Sequence, residues 1–160
     1  IARLRTDVMW HDGEPFDADD VVYTFRSVMN PDLGSPFREP YQANIAAVDA
    51  LDPHTVRFTL KAPYATFLTD LVLGIVPEHV CAPNNDRFAD GHYVGTGPFQ
   101  FANRDGERRL DLRAFDGALG KPKVGHLVFR TIKDEGTRLM ALLGGSADLM
   151  QNGTSPVLSP

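Results

Sequence analysis

The most constraining stretch of this chain is a pair of alternating runs, residues 45–51 and 55–61, separated by Asp52-Pro53-His54. The Thr-Val-Arg-Phe-Thr-Leu order of residues 55–60 has the two-residue period of a half-buried strand, and Asp and Pro supply turn chemistry between the runs. Together they predict a β-hairpin. A helix is predicted upstream of it. Asp17 stands where an N-cap belongs, and Asp20, three positions on, is placed to reach back as in a capping box. Val21, Val22, Phe25, Val28 and Met29 then recur at helical spacing until Asn30-Pro31 stops them. That apolar stripe has to face a core, so hairpin and helix point to an α+β fold, and no internal repeat is visible.

The remaining segments read less sharply. Residues 1–5 alternate like a strand, and Asp12-Gly13 provides a turn after them. Residues 32–44 carry Pro and Gly without a period and read as a long loop bearing the aromatics Phe37 and Tyr41. A short amphipathic helix is expected over residues 64–73. Residues 83–97 are rich in Pro, Asn, Asp and Gly, as in a crossing between lobes, and a domain boundary is placed there. Beyond it, strands are expected at 99–103, 109–115, 126–132 and 147–150, with a helix over 134–143 that ends at Gly144-Gly145. Phe25, Phe58, Phe67, Phe99, Phe101 and Phe129 occupy apolar periodic positions and are expected in the core.

Bulk composition removes several function classes. The chain has 160 residues, of which 42% are hydrophobic, enough for one modest core and too apolar for disorder. Lys and Arg number 16 against 21 Asp and Glu, with no basic run to neutralise a row of phosphates, so nucleic acid is not an expected partner. No apolar stretch approaches the roughly 18–20 residues needed to cross a bilayer. The single cysteine, Cys81, cannot form an internal disulfide framework or a Cys-rich zinc site, and is read as a buried thiol.

The densest polar cluster is Trp10-His11-Asp12-Gly13-Glu14. It admits a metal or acid/base reading and a plainer one, a tight turn with solvated charges. The plainer one is preferred, because His11, His54, His79, His92 and His126 are dispersed with no His-x-x-x-His spacing, so no metal site and no cofactor are expected. Neither a Gly-x-Ser-x-Gly elbow nor a Gly-x-x-x-x-Gly-Lys phosphate loop occurs. Gly95-Thr96-Gly97-Pro98 is too short for a phosphate cradle and reads as a backbone crossover. Phe37 and Tyr41 are either local plugs or ligand contacts.

The order of the motifs is more specific than any one of them. Leu4-Arg5, then Val8-x-Trp10-His11-Asp12-Gly13-Glu14-Pro15-Phe16, then Ala18-x-Asp20-Val21-Val22-Tyr23-Thr24-Phe25, resembles the signature region of the family 5 solute-binding proteins of dipeptide, oligopeptide and nickel importers. Ser35-Pro36-Phe37, the hairpin, Gly74-Ile75-Val76-Pro77-Glu78-His79-Val80, Val94-Gly95-Thr96-Gly97-Pro98-Phe99, Gly120-Lys121-Pro122-Lys123 and Thr137-Arg138-Leu139 follow in the family's order. The chain departs from the pattern at Phe115-Asp116-Gly117-Ala118-Leu119, where the family usually carries a Tyr-Trp pair.

The resemblance implies a fragment of a two-lobed, type II, peptide-binding periplasmic fold, with mixed sheets and packed helices. Residues 1–85 would belong to the small inserted subdomain and residues 86–160 to the first main lobe, with the far lobe outside this segment. The implied function is capture of a peptide or related small solute by hinge closure and delivery to an ABC permease, without catalysis. Periplasmic or extracytoplasmic placement follows, with membrane contact only through the permease or a lipid anchor outside the segment. By position in the family pattern, Phe37, Tyr41, Gly74, Ile75, Gly95 and Thr96 would approach the ligand, while Trp10, Asp12, Gly13 and Asp20 would be structural. Two further readings stay open: a nickel or metal-chelate importer component, and a ligand-sensing domain of a cytoplasmic transcription regulator. The isolated segment is expected to expose unpaired sheet edges and to self-associate.

Overall fold

The computed structural model describes residues 1–84, 88 and 91–151. The described residues divide into two compact units, Ile1–Phe101 with Leu112–Leu127, and Ala102–Asp111 with the residues from Val128 onward. The boundary placed between residues 85 and 86 lies among residues outside the description.

The first unit is built on the hairpin. Strand β2, Ile45–Asp52, pairs antiparallel with β3, Thr55–Leu60, and β1, Ala2–Arg3, adds to the other side of β3, giving the order β1-β3-β2. Val48 stands opposite Phe58, and Asp49 opposite Arg57, where the two charges meet at 2.9 Å. The turn closes through Asp52, whose carboxylate accepts the His54 N–H at 2.8 Å. Its carbonyls are used as well: Pro53 O accepts from Ala18 N and His54 O accepts from Leu4 N.

Helix α1, Ala18–Met29, lies against this sheet. Asp17 caps it by accepting from the amides of Asp19 and Asp20, and Asp20 returns a bond to the Asp17 amide, so the predicted capping box forms. Replacing Asp17 with Ala is expected to lower stability by about 1 kcal/mol, read from a chemical denaturation midpoint. Ala18, Val21, Val22 and Phe25 of α1 close on Tyr41, Ile45, Val48 and Val56 to make the core. Phe25 is the hub of its aromatics, edge-on to Tyr41 at 5.2 Å and to Phe58 at 5.1 Å.

Two expectations for this unit need correction. Residues 32–44 are not a loop: a 3-10 turn, Pro31–Leu33, leads into helix α2, Arg38–Asn44. Pro40 argued against a helix, but it falls in the first turn, where the amide it lacks has no intrahelical partner anyway. Conversely, the helix expected over residues 64–73 shrinks to one turn, α3, Phe67–Asp70. Helix α4, Glu78–Cys81, follows, and Cys81 is buried.

A second sheet has the order β4-β5-β6, with β4 Phe99–Asp105, β5 Arg109–Ala114 and β6 His126–Arg130. All three match the predicted strands to within a few residues. In the second unit, helix α5, Glu135–Leu143, is capped by Asp134, which accepts from both the amide and the hydroxyl of Thr137. No strand forms at residues 147–150. The amides of Ser146 and Ala147 turn back to the Ala141 carbonyl instead of entering a ladder. Phe129, expected in the core, is instead 50% exposed.

Candidate functional site

Two places in the first unit gather the residues singled out from the sequence. The first is the turn at residues 10–14. Gly13 holds a positive φ of 94°, which a residue with a side chain rarely adopts, and the turn closes with Trp10 N–H donating to Glu14 O and Gly13 N–H donating to Trp10 O. The Trp10 ring is 1% exposed and packs edge-on to Phe16 at 5.8 Å. Its indole N–H donates to Asp20 Oδ2 at 2.9 Å.

Asp20 is itself only 4% exposed, and among the described residues no lysine or arginine is paired with it. Its carboxylate is held by neutral N–H donors: Oδ2 accepts from the Trp10 indole and the Asp17 N–H, and Oδ1 accepts from the Glu78 N–H at 2.9 Å. One turn later, the Thr24 hydroxyl donates to Asp20 O and accepts from Val76 N–H. Asp20 and Thr24 thus anchor residues 76–78 to α1. The Glu78 carboxyl is pushed up from its usual range, first by burial and then by the charges of Asp19, Asp20 and Asp17.

His11 and Asp12 are not simply solvated, contrary to the turn expected from sequence. Asp12 Oδ2 meets His79 Nε2 of α4 at 2.7 Å. Burial alone would raise the Asp12 pKa, but the bonds from His79 and the Glu14 amide outweigh it and hold the carboxyl below its ordinary value. A depressed carboxyl stabilises the fold above its unfolded pKa, and that contribution is lost as pH falls through the lower, folded value. His11 reaches the other way. Its N–H donates to Gly95 O at 2.9 Å, its Nδ1 accepts from Gly95 N–H at 3.2 Å, and its Nε2 lies 2.9 Å from Gly97 O.

Phe115, at the point of departure from the family pattern, lies edge-on to the His11 ring at 4.9 Å. It also explains the glycine beside it. A Cβ on Gly117 would come within 2.6 Å of Phe115 Cζ, so the ring keeps its place only over a glycine.

The second place is a groove of about 200 Å³ between α2 and the segment around α3. Phe37, Tyr41, Tyr64, Phe67, Asp70 and Val72 line it. Phe37 is 55% exposed, whereas Tyr41 is 6% exposed and donates its hydroxyl to Asp70 O at 2.7 Å. Burial, followed by the Asp70 charge, raises the Tyr41 pKa, so the hydroxyl stays a donor. The structure therefore brings Phe37 and Tyr41 to one groove, with Tyr41 as its floor and Phe37 as its open wall. Ile75 packs on the core, Gly74 has open space around it, and Gly95 and Thr96 lie by the His11 turn, so these four do not join the groove. Among the described residues, no group of three or more His, Cys, Asp and Glu side chains is placed to hold a metal ion.

The model of the family described as bacterial extracellular solute-binding proteins, family 5 Middle, matches residues 1–160. The chain belongs to this family. Protein XP55 of Streptomyces lividans is 36% identical over 148 residues, covering 91% of this chain and 27% of that protein. The dipeptide-binding protein of Escherichia coli is 30% identical over 172 residues, covering 92% of this chain and 32% of its own length. Among solved structures, NikZ of Campylobacter jejuni in complex with Ni(L-His) superposes with a TM-score of 0.82 at 31% identity, over 90% of this chain and 30% of NikZ. The chain thus spans about a third or less of the relatives it matches, and it has the α+β fold of the matched part.

Proposed function

We propose that this family 5 chain is part of the substrate-binding component of a bacterial ABC importer, which takes up a peptide or related small solute and hands it to a permease without catalysis. The observation that carries this reading is the likeness along nine-tenths of the chain to proteins named for what they bind. The groove fits it. At about 200 Å³ it is smaller than a site for a whole drug-sized ligand, and its aromatic wall suits one apolar side chain of a larger solute. Extracytoplasmic placement accords with the family's description.

The test is calorimetry of the full-length protein against a library of di- to pentapeptides, with nickel–histidine chelate as a separate arm. Micromolar or tighter binding of peptide is expected, and Phe37→Ala is expected to weaken it about tenfold by removing the exposed aromatic wall. Binding of the chelate alone would move the cargo to metal complexes, the reading favoured by the likeness to NikZ. Hydrolysis of the peptides, or no binding in either arm, overturns the proposal.

A further inference from the structure

The hydrogen bonds around His11 fix its protonation state. A backbone amide only donates, so the Gly95 N–H at 3.2 Å requires an unprotonated Nδ1. A carbonyl only accepts, so Gly97 O at 2.9 Å requires the proton on Nε2. The ring is the neutral Nε2–H tautomer, and it ties residues 95 and 97 to the turn at residues 10–14 through both nitrogens. A second proton, on Nδ1, would set two N–H groups against each other across that contact.

We propose that His11 is a pH-sensitive clamp on residues 95–97, closed when its ring is neutral and opened at Nδ1 when the ring takes up a proton. Imidazoles as a class change charge between about pH 5 and 8, and that is the window in which the clamp is to be tested. The groups packed on the ring are few. From residues 95–97 come backbone atoms, and from residue 115 an uncharged phenyl ring. Asp116, which follows it, is paired with Lys121 at 2.9 Å. Asp12 and Glu14 lie on the same turn, and Asp12 is taken by His79 of α4.

The second imidazole responds in the opposite sense. A protonated His79 turns its hydrogen bond to Asp12 into an ion pair, so the acid that opens residues 95–97 tightens the turn onto α4. Acidification therefore transfers the turn's grip from the crossover to the helix. Only one consequence rests on the function proposed above: if Gly95 and Thr96 help shape a solute site, mild acid speeds solute release.

Hydrogen exchange of the full-length protein, corrected for intrinsic rates and compared at about pH 7.5 and about pH 5.5, tests the clamp without any solute. Protection of the Gly95 amide is expected to fall roughly fivefold in acid, while the hairpin amides stay unchanged. In His11→Asn the side-chain carbonyl accepts from Gly95 at either pH, so the response is expected to vanish. In His79→Ala it is expected to persist. Equal protection at both pH values in the wild type, or a response that survives in His11→Asn, overturns the clamp, and the wild-type comparison decides alone if His11→Asn does not fold. Solute release measured at the same two pH values separates the ideas: with the exchange response present and no solute bound, the clamp stands and the transport reading falls.

Discussion

Replacing Trp10 with alanine is expected to destabilise the fold by about 3–5 kcal/mol, the usual cost of truncating a large, fully buried aromatic. The indole is 1% exposed and packs on Phe16, so its removal leaves a cavity beneath a turn that Gly13 holds in a fixed conformation. It also deprives Asp20 Oδ2 of its shortest bond. Trp10→Phe keeps one six-membered ring in the pocket and loses the five-membered ring with its N–H, so it removes the same hydrogen bond with a smaller cavity. About 2–3 kcal/mol is expected for that variant. Urea unfolding followed by far-ultraviolet circular dichroism is the measurement, since Trp10 is the only tryptophan of the chain and its fluorescence disappears with it. Solute affinity should follow the folded fraction and nothing else. A Trp10→Ala protein that keeps its unfolding midpoint but loses its solute would move Trp10 from the framework to the ligand.

The elements legible in the sequence were those specified by neighbours in the chain. The hairpin follows from alternation and an Asp-Pro-His turn, and α1 from a cap and a 3.6-residue period, so both appear within a residue or two of expectation. Helix α2 was hidden because seven residues carry too little periodicity to outweigh a proline whose position in the first turn is visible only once the helix start is known. The segment at residues 147–150 failed for the opposite reason. A strand needs a partner, and a local pattern cannot supply one.

The same distinction holds for the site. Asp20 was legible as a capping residue because its partner Asp17 is three positions away. Its bonds to Trp10 and Glu78 span 10 and 58 positions, and no local spacing encodes them. His11 was weighed as a metal ligand and set aside for lack of a second imidazole at helical spacing. Its partners are backbone atoms 84 and 86 residues on, which carry no residue-type signal at all. The one hint was the glycine pair at 95 and 97, a place where backbone can approach a ring closely.

Replacing Asp20 with alanine is expected to cost about 3 kcal/mol or more, although the change removes a buried charge with no cationic partner among the described residues. The reason lies in what it leaves behind. Three donors, the Trp10 indole and the Asp17 and Glu78 amides, lose their acceptor in a place sealed from water, and each unsatisfied buried donor costs about 1–3 kcal/mol. Relief elsewhere is smaller: the Glu78 carboxyl loses one of the three negative charges that raise its pKa. Asp20→Asn is the sharper variant, because it is nearly isosteric and still fails. Its amide offers one acceptor oxygen and one NH₂, so whichever way it is turned, an N–H faces the donors of Trp10 and Asp17 or the donor of Glu78. The expected order of stability is wild type, then Asn, then Ala, read from urea midpoints at pH 7. Asp20→Asn as stable as wild type would mean that the three donors do not need a carboxylate, and that the capping box alone accounts for this residue.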